Sequence, residues 1–198
     1  KYQLPYQFSA ACLKEAETLP KKVLKKDLKH REDLRSLKLM TIDGENARDF
    51  DDAVYAKETE RGFKLWVAIA DVSHYVRLDS ALNEEAEERG TSVYFPHFVL
   101  PMLPEALSNG LCSLNPHVDR LCMVCDLKLS RTGRVTGYDF YPSVMHSKAR
   151  LTYTQVAQYF DGATDAIPKD RDVHKSLNTL FQLYQILKNL RADRHAME

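Results

Sequence analysis

Apolar residues fall in short runs over the first two thirds of the chain, which is the pattern expected of β-strands. Residues 37–42 predict a strand that ends at Asp43, and residues 53–57 predict a second strand shortly after it. Residues 63–70, FKLWVAIA, are almost entirely apolar. We therefore expect them to form a strand at the centre of a sheet, with both faces of that strand covered.

Turn and capping residues indicate where further elements begin and end. Residues 121–130 and 134–145 predict two antiparallel strands, because the turn sequence RTG lies between them. Residues 80–89 predict a short acidic helix, and Gly90 is a typical C-terminal stop for it. The four prolines between residues 96 and 116 predict a rigid, irregular connection.

Both ends of the chain have helical patterns. Residues 8–18 predict a short helix that Pro20 ends, and residues 153–160 and 171–194 predict two more. The last helix has apolar residues at three- and four-residue spacings, a stripe that we expect to be buried: Val173, Leu177, Leu180, Phe181, Tyr184, Leu187 and Leu190. Together the elements predict an α+β fold, with a mixed, mostly antiparallel sheet flanked by helices.

Charge is balanced over the whole chain of 198 residues but is distributed unevenly. Residues 1–40 carry ten basic and five acidic side chains, whereas residues 41–60 carry two and seven. The basic run at residues 21–31 is consistent either with a solvated helix face or linker, or with a segment that contacts phosphates. No apolar run is long enough to span a membrane, and four cysteines are too few for a disulfide scaffold. We therefore expect a cytoplasmic protein with no membrane partner.

Residues 41–53, TIDGENARDFDDA, are the stretch most indicative of function. They contain Asp43, Asp49, Asp51 and Asp52, with Arg48 between the first aspartate and the other three. Carboxylates this close in sequence repel one another, and the usual remedies in a folded site are a raised pKa or a bound cation. The alternative is a solvated acidic turn that Arg48 partly neutralises.

The spacing of these aspartates excludes an EF-hand calcium loop. A loop starting at Asp49 would place Ala53 and Val54 where aspartate and glycine are required. Ligands that are all oxygen favour hard cations, and Mg²⁺ in particular is held by a few carboxylates together with waters and substrate phosphates. The acidic stretch therefore favours magnesium-dependent phosphodiester chemistry.

Other possible chemistry is weaker. Cys122 and Cys125 form a CxxC, but residues three apart in a strand point to opposite faces, so a zinc or redox pair is not expected. The histidines lack HExxH spacing, and no serine or cysteine lies in a GxSxG-like turn. Tyr94 and Tyr153 adjoin turns and are either base-stacking residues or ordinary half-buried tyrosines.

Five segments of the chain match a known family in the same order. They are TIDGENARDFDDAVY, LWVAIADVSHYV, RGTSVYFPHFVLPMLPEALSNGLCSLNP, DRLCMVC and SKARLTYTQV. Over about residues 36–160 the chain resembles the RNB catalytic domain of the ribonuclease II and ribonuclease R exoribonucleases, and it is more similar to ribonuclease R.

The resemblance implies processive 3′-to-5′ hydrolysis of single-stranded RNA to nucleoside 5′-monophosphates with Mg²⁺. By the family's motif, Asp43 and Asp52 are the principal metal ligands, and Asp49 and Asp51 help to hold metal, water or the terminal ribose. Tyr94 matches the tyrosine that stacks on the 3′-terminal nucleotide. A second matching segment contains a further RNA contact, Tyr153, with two basic neighbours as expected phosphate contacts, Lys148 and Arg150.

Parts of the family pattern are missing from these 198 residues, namely the cold-shock domains, the C-terminal OB-fold domain and an arginine in an SPIRRY-like motif. We therefore expect a basic segment at residues 1–35 that leads from the cold-shock region, and the N-terminal part of the RNB domain at residues 36–198. We also expect these residues alone to be weakly active or inactive. Two rivals are a non-catalytic RNA-binding relative and a DNA-directed metal nuclease.

Overall fold

The computed structural model describes residues 6–193 of the chain. Within them lie four α-helices, which are α1 (Ala10–Thr18), α2 (Ala81–Arg89), α3 (Tyr153–Phe160) and α4 (Arg171–Asp193). The strands are β1 (Glu32–Asp33), β2 (Met40–Asp43), β3 (Asp52–Thr59), β4 (Gly62–Ala70), β5 (Val93–Tyr94), β6 (Val99–Leu100), β7 (Asp119–Ser130), β8 (Val135–His146) and β9 (Ala149–Thr152). Of the helices in this part of the chain, none combines the length and the apolar character needed to cross a bilayer.

Seven strands form one sheet in the order β1-β8-β7-β4-β3-β2-β9, and β5 and β6 form a separate hairpin. Two pairings at the edges, β1 with β8 and β2 with β9, are parallel, and the other pairings in the sheet are antiparallel. The predicted α+β class with a mixed, mostly antiparallel sheet is therefore confirmed. The predicted antiparallel pair is also confirmed, as β7 and β8, and β4 lies at the centre of the sheet.

The predicted acidic helix is confirmed as α2, and its ends follow capping chemistry. The Ser80 hydroxyl accepts a hydrogen bond from the backbone N–H of Asn83, which satisfies one of the unpaired donors of the first turn. Gly90 ends the helix with a φ of 68°, a conformation that glycine adopts without strain. The sequence therefore specified both ends of this helix locally.

One face of the sheet carries the main core. Trp66, Ala68 and Ala70 of β4 point into it, and buried residues of α1 and α2, such as Cys12 and Leu82, pack in the same cluster. The N-terminal helix thus packs in the main core. Whether residues 1–35 and 36–198 are distinct domains stays a prediction.

The opposite face of the sheet is covered only in part. α4 crosses it at one end, where Phe63 of β4 packs with Leu129 and Leu183. At the other end Ile69 is 47% exposed, and its cross-strand neighbour Met123 is 40% exposed. The prediction that both faces of β4 are covered is therefore wrong at this end, because hydropathy indicates burial but does not say how far a covering helix reaches.

The apolar stripe of α4 is also only partly buried. Val173 and Leu177 are buried as predicted, but Phe181 is 37% and Tyr184 is 53% exposed. Leu183, which the spacing rule omitted, is 2% exposed and faces the sheet. The prediction that the whole stripe is buried is wrong, because the second half of the helix also meets the sheet through Leu183 and Ile186, which lie outside the idealised stripe. The predicted end of this helix near residue 194 lies outside the described residues.

The turn between β7 and β8 lies against the same helix. Gly133 has a φ of 78°, and a Cβ atom built there would come within 2.7 Å of Ile186 and 2.9 Å of Leu190. A larger residue would be strained in its backbone and would push the helix away. Glycine at this position therefore serves both the turn and the packing of α4.

Candidate functional site

The four aspartates of the acidic stretch lie at one end of the seven-stranded sheet. Asp43 is the last residue of β2 and Asp52 is the first residue of β3, and the connection between them contains Asp49 and Asp51. β2 also pairs with β9, which places Asp43 opposite Thr152. We call residues 43–52 the acidic loop. The sequence correctly placed Asp43 at a strand end, and Asp52 begins the next strand, so backbone hydrogen bonding restricts the positions of both.

The backbone of the acidic loop is held by residues far away in sequence. The buried Ser113 hydroxyl donates to the carbonyl oxygen of Arg48 at 2.8 Å and accepts from the N–H of Phe50 at 3.0 Å. The N–H of Ala70 donates to the carbonyl oxygen of Asp51 at 2.9 Å. Phe50 is 3% exposed and anchors the middle of the loop in the core. The backbone of the loop is therefore held at Arg48, Phe50 and Asp51.

Ser113 is a residue that sequence reasoning missed. Its carbonyl oxygen accepts a hydrogen bond from Nε of the buried Arg120 at 2.7 Å, so the serine is itself held in place. Nothing in the spacing of the surrounding sequence distinguishes this serine from one in an ordinary turn. Only its burial and its two contacts with the loop mark it as a positioning residue.

Arg150 lies beside the acidic loop and contacts its backbone. Its Nη2 donates to the carbonyl oxygen of Glu45 at 2.6 Å and to that of Ala47 at 3.3 Å. Its guanidinium also lies 5.2 Å from the ring centroid of Phe50. The residue predicted from sequence as a phosphate contact thus has a structural role in holding the loop, and its contact with RNA stays a prediction.

The carboxylates of the loop act on one another. Burial raises the pKa of Asp43, and the charges of Asp52 and Asp49 raise it further, while Arg150 opposes the shift. The pKa of Asp51 is raised in the same way, first by burial and then by Asp49, Asp52 and Asp43. The structure therefore brings the four predicted aspartates into one electrostatic cluster, in which negative charge is disfavoured.

Three of the aspartates line a cleft of about 730 Å³, together with residues of the β5–β6 hairpin, which we call the aromatic hairpin. Tyr94, at the end of β5, is 65% exposed, and its hydroxyl donates to Oδ2 of Asp49 at 2.7 Å. This hydrogen bond is the largest cause that raises the pKa of Tyr94 to about 12. Phe95 and Phe98 stack in the same hairpin with ring centroids 4.6 Å apart. An aromatic surface thus adjoins the carboxylates directly.

The remaining candidate residues lie at different distances from this cleft. Asp52 is exposed and pairs with Ile69, at the open end of the sheet rather than in the lining of the cleft. Tyr153 is 62% exposed and directly follows Thr152, the partner of Asp43. Lys148 lies just before the first residue of β9, whereas Thr152 is the last residue of that strand. The four residues of this strand correspond to roughly 13 Å of extended chain. Tyr153 therefore directly follows the strand partner of Asp43, whereas Lys148 lies before the opposite end of β9.

The acidic loop has the donor chemistry for a hard cation. Its side chains offer only oxygen atoms, and the repulsion that raises the pKa of Asp43 and Asp51 would be relieved by a bound cation. Between residues 6 and 193, no three or more His, Cys, Asp or Glu side chains are gathered closely enough to form a ready-made metal site. The four cysteines are free thiols, with Cys122 buried in β7 and Cys125 half-buried.

Comparisons with known proteins were made on the sequence and on the fold. The chain is 51% identical to Ribonuclease R of Vibrio cholerae serotype O1 over its whole length and 53% identical to Ribonuclease R of Escherichia coli K12 over 98% of it. It spans 24% of the length of each of these relatives. The fold matches Mycoplasma genitalium RNase R in complex with double-stranded RNA, with a TM-score of 0.91 and 35% identity, over 96% of this chain and 34% of that one.

The family comparison covers most of the chain. The model of the RNB domain matches residues 31–198, a span that includes the acidic loop, the aromatic hairpin and all strands of the sheet. The sequence resemblance and the structural match therefore agree on the same stretch. The chain belongs to the RNB domain family.

Proposed function

We propose that the protein is a 3′-to-5′ exoribonuclease that hydrolyses single-stranded RNA to nucleoside 5′-monophosphates, in RNA turnover and processing. The observation that carries the proposal is the acidic loop, in which four mutually repelling aspartates lie at the end of the sheet beside an exposed, carboxylate-bonded Tyr94. Membership of the RNB domain family and the similarity to proteins named Ribonuclease R support it. Those relatives are about four times longer than this chain. The activity is therefore proposed for a protein of that length that contains these residues, which we call the longer protein.

Magnesium is the proposed cofactor, held by Asp43 and Asp52, with Asp49 and Asp51 as additional candidate ligands. When bound, Mg²⁺ supplies activation of a water nucleophile and neutralises charge on the phosphate. The protein supplies a rigid loop, since Ser113 and Arg150 hold its backbone between the carboxylates. Rigid carboxylates are what positioning of a hard cation requires.

Tyr94 and Tyr153 are the proposed base-stacking residues. Both are more than 60% exposed, so a nucleobase can reach their ring faces. The hydrogen bond from Tyr94 to Asp49 orients its ring at the edge of the cleft. Lys148 and Arg150 are proposed contacts of the RNA backbone on the Tyr153 side. The sparse cysteines and the absence of a long apolar run support our proposal that the protein acts in the cytoplasm.

The discriminating experiment is Asp52→Asn in the longer protein. The exonuclease proposal predicts that turnover of oligo(A) with Mg²⁺ falls by at least about 100-fold, because a proposed ligand of the Mg²⁺ that activates water and neutralises the phosphate loses its charge. Binding of the same oligomer in EDTA should stay within about twofold. Asp165→Asn, which changes an exposed aspartate outside the cleft, is the matched control. Unchanged turnover in Asp52→Asn would instead favour the non-catalytic RNA-binding alternative.

A second assay separates RNA from DNA as the substrate. Ribo- and deoxyribo-oligomers of the same sequence are digested side by side, and the released mononucleotides are quantified. The proposal requires that the ribo-oligomer is the preferred substrate. Equal cleavage of both oligomers would support a general metal nuclease.

A further inference from the structure

Residues 21–31 carry the densest run of positive charge in the chain, and the proposed active site does not use it. Five lysines in this segment are exposed, and we call them the lysine strip: Lys21, Lys22, Lys25, Lys26 and Lys29. The sequence alone left open whether such a run is a solvated surface or a contact for phosphates. The structure adds how the segment is anchored and where it leads.

The other residues of the segment turn inward and hold it in place. Val23 and Leu28 pack against the main core. Asp27, whose side chain is 7% exposed, accepts a hydrogen bond from the N–H of Leu24 at 2.9 Å and lies 3.4 Å from Nε2 of His74. Arg31 donates to Asp71 at 2.5 Å. The one acidic side chain of the segment is therefore buried, and the outer surface presents only positive charge.

The lysine strip has no internal counter-charge in the part of the chain that the structure describes. Lys38 pairs with Asp172 and Lys64 pairs with Asp126, but none of the five lysines of the strip forms an ion pair with a carboxylate of the described residues. Like charges held on one short, anchored segment repel one another. An external polyanion would relieve this repulsion and release its own counterions on binding.

The segment is linked to the acidic loop through the end of β4. Arg31 pairs with Asp71, and Asp71 directly follows Ala70, whose N–H donates to the carbonyl oxygen of Asp51. The segment and the backbone of the acidic loop are thus both attached to the same end of β4. Because the acidic loop repels phosphates, a substrate that reaches it needs cations nearby to hold the rest of its backbone.

We propose that the lysine strip binds the phosphodiester backbone of single-stranded nucleic acid and guides it toward the acidic loop. The inference rests on the proposed function for the identity of the substrate, but its test is independent of hydrolysis. Lysine ammonium groups bind phosphates as point charges, and contacts with phosphates, which RNA and DNA share, carry no sequence information. The strip should therefore bind ribo- and deoxyribo-oligomers equally well, and any preference for RNA should arise elsewhere.

The test compares two triple variants that remove the same charge. One changes Lys22, Lys25 and Lys26 to Gln, and the control changes three exposed lysines outside the strip, Lys128, Lys169 and Lys175, to Gln. Binding of fluorescein-labelled 20-nucleotide oligo(A) and oligo(dA) is measured by anisotropy in EDTA, over a range of salt concentrations. Circular dichroism and thermal melting confirm that both variants fold.

The strip variant should bind both oligomers at least about tenfold more weakly at low salt. The slope of log affinity against log salt should fall by about 2, because single strands lose roughly 0.7 per phosphate contact. The control should stay within about twofold of the wild type, and Lys→Arg at the same three strip positions should restore binding.

Three results would overturn the inference. One is equal binding by the strip variant and the control, and another is no measurable binding of either oligomer by the wild type. The third is a strip variant that no longer binds vesicles of phosphatidylcholine and phosphatidylglycerol but still binds both oligomers as the wild type does. That result would indicate that the lysine strip binds membrane surfaces. In the longer protein, the strip variant should raise KM and leave kcat unchanged, whereas Asp52→Asn should lower kcat. Failure of the lysine-strip proposal can therefore be distinguished from failure of the exonuclease proposal.

Discussion

Two clusters of charged side chains lie at the end of β4 and are built in opposite ways. In the first, which we call the paired network, Arg31 donates to Asp71 and also lies 3.3 Å from Nδ1 of His74, whose Nε2 faces Asp27. In the second, the acidic loop, carboxylates face one another with Arg150 as the opposing cation. The first cluster satisfies its charges internally, and the second leaves them to be satisfied by something that binds.

The direction of the pKa shifts expresses this difference. Burial alone would raise the pKa of Asp71, but hydrogen bonds from Arg31 and Ser73 outweigh it, so the pKa lies below its ordinary value. In the acidic loop burial and neighbouring carboxylates act together, and the pKa of Asp43 and Asp51 is raised. A carboxylate whose ion pair stabilises the fold has a lowered pKa. Carboxylates that are held close together despite their repulsion have raised pKa values, and such a cluster indicates a binding or catalytic role.

The geometry of the paired network favours one tautomer of its histidine. A guanidinium is only a donor, so in the neutral ring Nδ1 of His74 accepts from Arg31 and Nε2, which carries the proton, faces Asp27. This arrangement links the segment before β1 to the turn after β4. The paired network thus attaches the lysine strip to the sheet.

The largest expected effect comes from breaking the paired network. Asp71→Asn should lower the free energy of unfolding by about 3–5 kcal/mol, because Arg31, with a side chain that is 9% exposed, would lose its buried counter-ion. Urea unfolding measures the change, with Asp165→Asn as a control expected within about 0.5 kcal/mol. A loss below 1 kcal/mol in Asp71→Asn would show that the network contributes little to stability.

The acidic loop should respond to metal where the paired network does not. With Mg²⁺ at 100 times its dissociation constant, the wild type should gain about 2.7 kcal/mol of stability, because the cation binds only the folded site. Asp43→Asn should remove most of this gain without lowering stability in EDTA, since it removes one repelling carboxylate. Thermal melting with and without Mg²⁺ measures both quantities. An equal gain in the wild type and in Asp43→Asn would place the cation elsewhere.

A smaller effect is expected where the acidic loop depends on its support. Ser113→Ala should cost about 1–3 kcal/mol, because a buried N–H and a buried carbonyl oxygen lose their partner. In the longer protein, kcat for oligo(A) should fall by about 10- to 100-fold at temperatures well below melting, since the loop is displaced. Oligomer binding in EDTA should be unchanged. Ser36→Ala, at an exposed serine, is the control, and equal kcat values for the two variants would exclude a positioning role.

The smallest expected effect is a change with pH. Because the folded pKa of Asp71 lies below its ordinary value of 3.8, its contribution to stability is complete above that value and is lost as the pH falls through the folded pKa. The difference in stability between the wild type and Asp71→Asn should therefore be constant from pH 7 to about 4 and should shrink below it. Urea midpoints over this range measure the difference. A difference that shrinks above pH 5 would contradict the assignment.

Local chemistry made much of the fold predictable. Ser80 and Gly90 specified the ends of α2, and the RTG turn specified the β7–β8 pair. Asp43 was predictable at a strand end because the apolar run before it stops there. By contrast, the exposure of Phe181 and the burial of Leu183 depend on where α4 touches the sheet, which hydrophobic spacing does not encode.

The same division holds for the candidate site. The four aspartates and Tyr94 were identifiable from sequence, because carboxylates in close succession and a family motif are visible along the chain. Ser113 was not identifiable, since its partners Arg48 and Phe50 are more than 60 residues away. Arg150 was noticed for its charge, but its contacts with the loop carbonyls of Glu45 and Ala47 were not foreseen.

By itself, the sequence determined the chemical character of this protein, namely a cluster of oxygen ligands, a basic run before it and strands that end at the aspartates. These properties depend on residue types and on neighbours a few positions apart. Only the tertiary structure decided which charges are paired and which are not, because pairing depends on contacts between distant segments such as Arg31 with Asp71. That distinction separates the cluster that holds the fold together from the one that we propose acts on RNA.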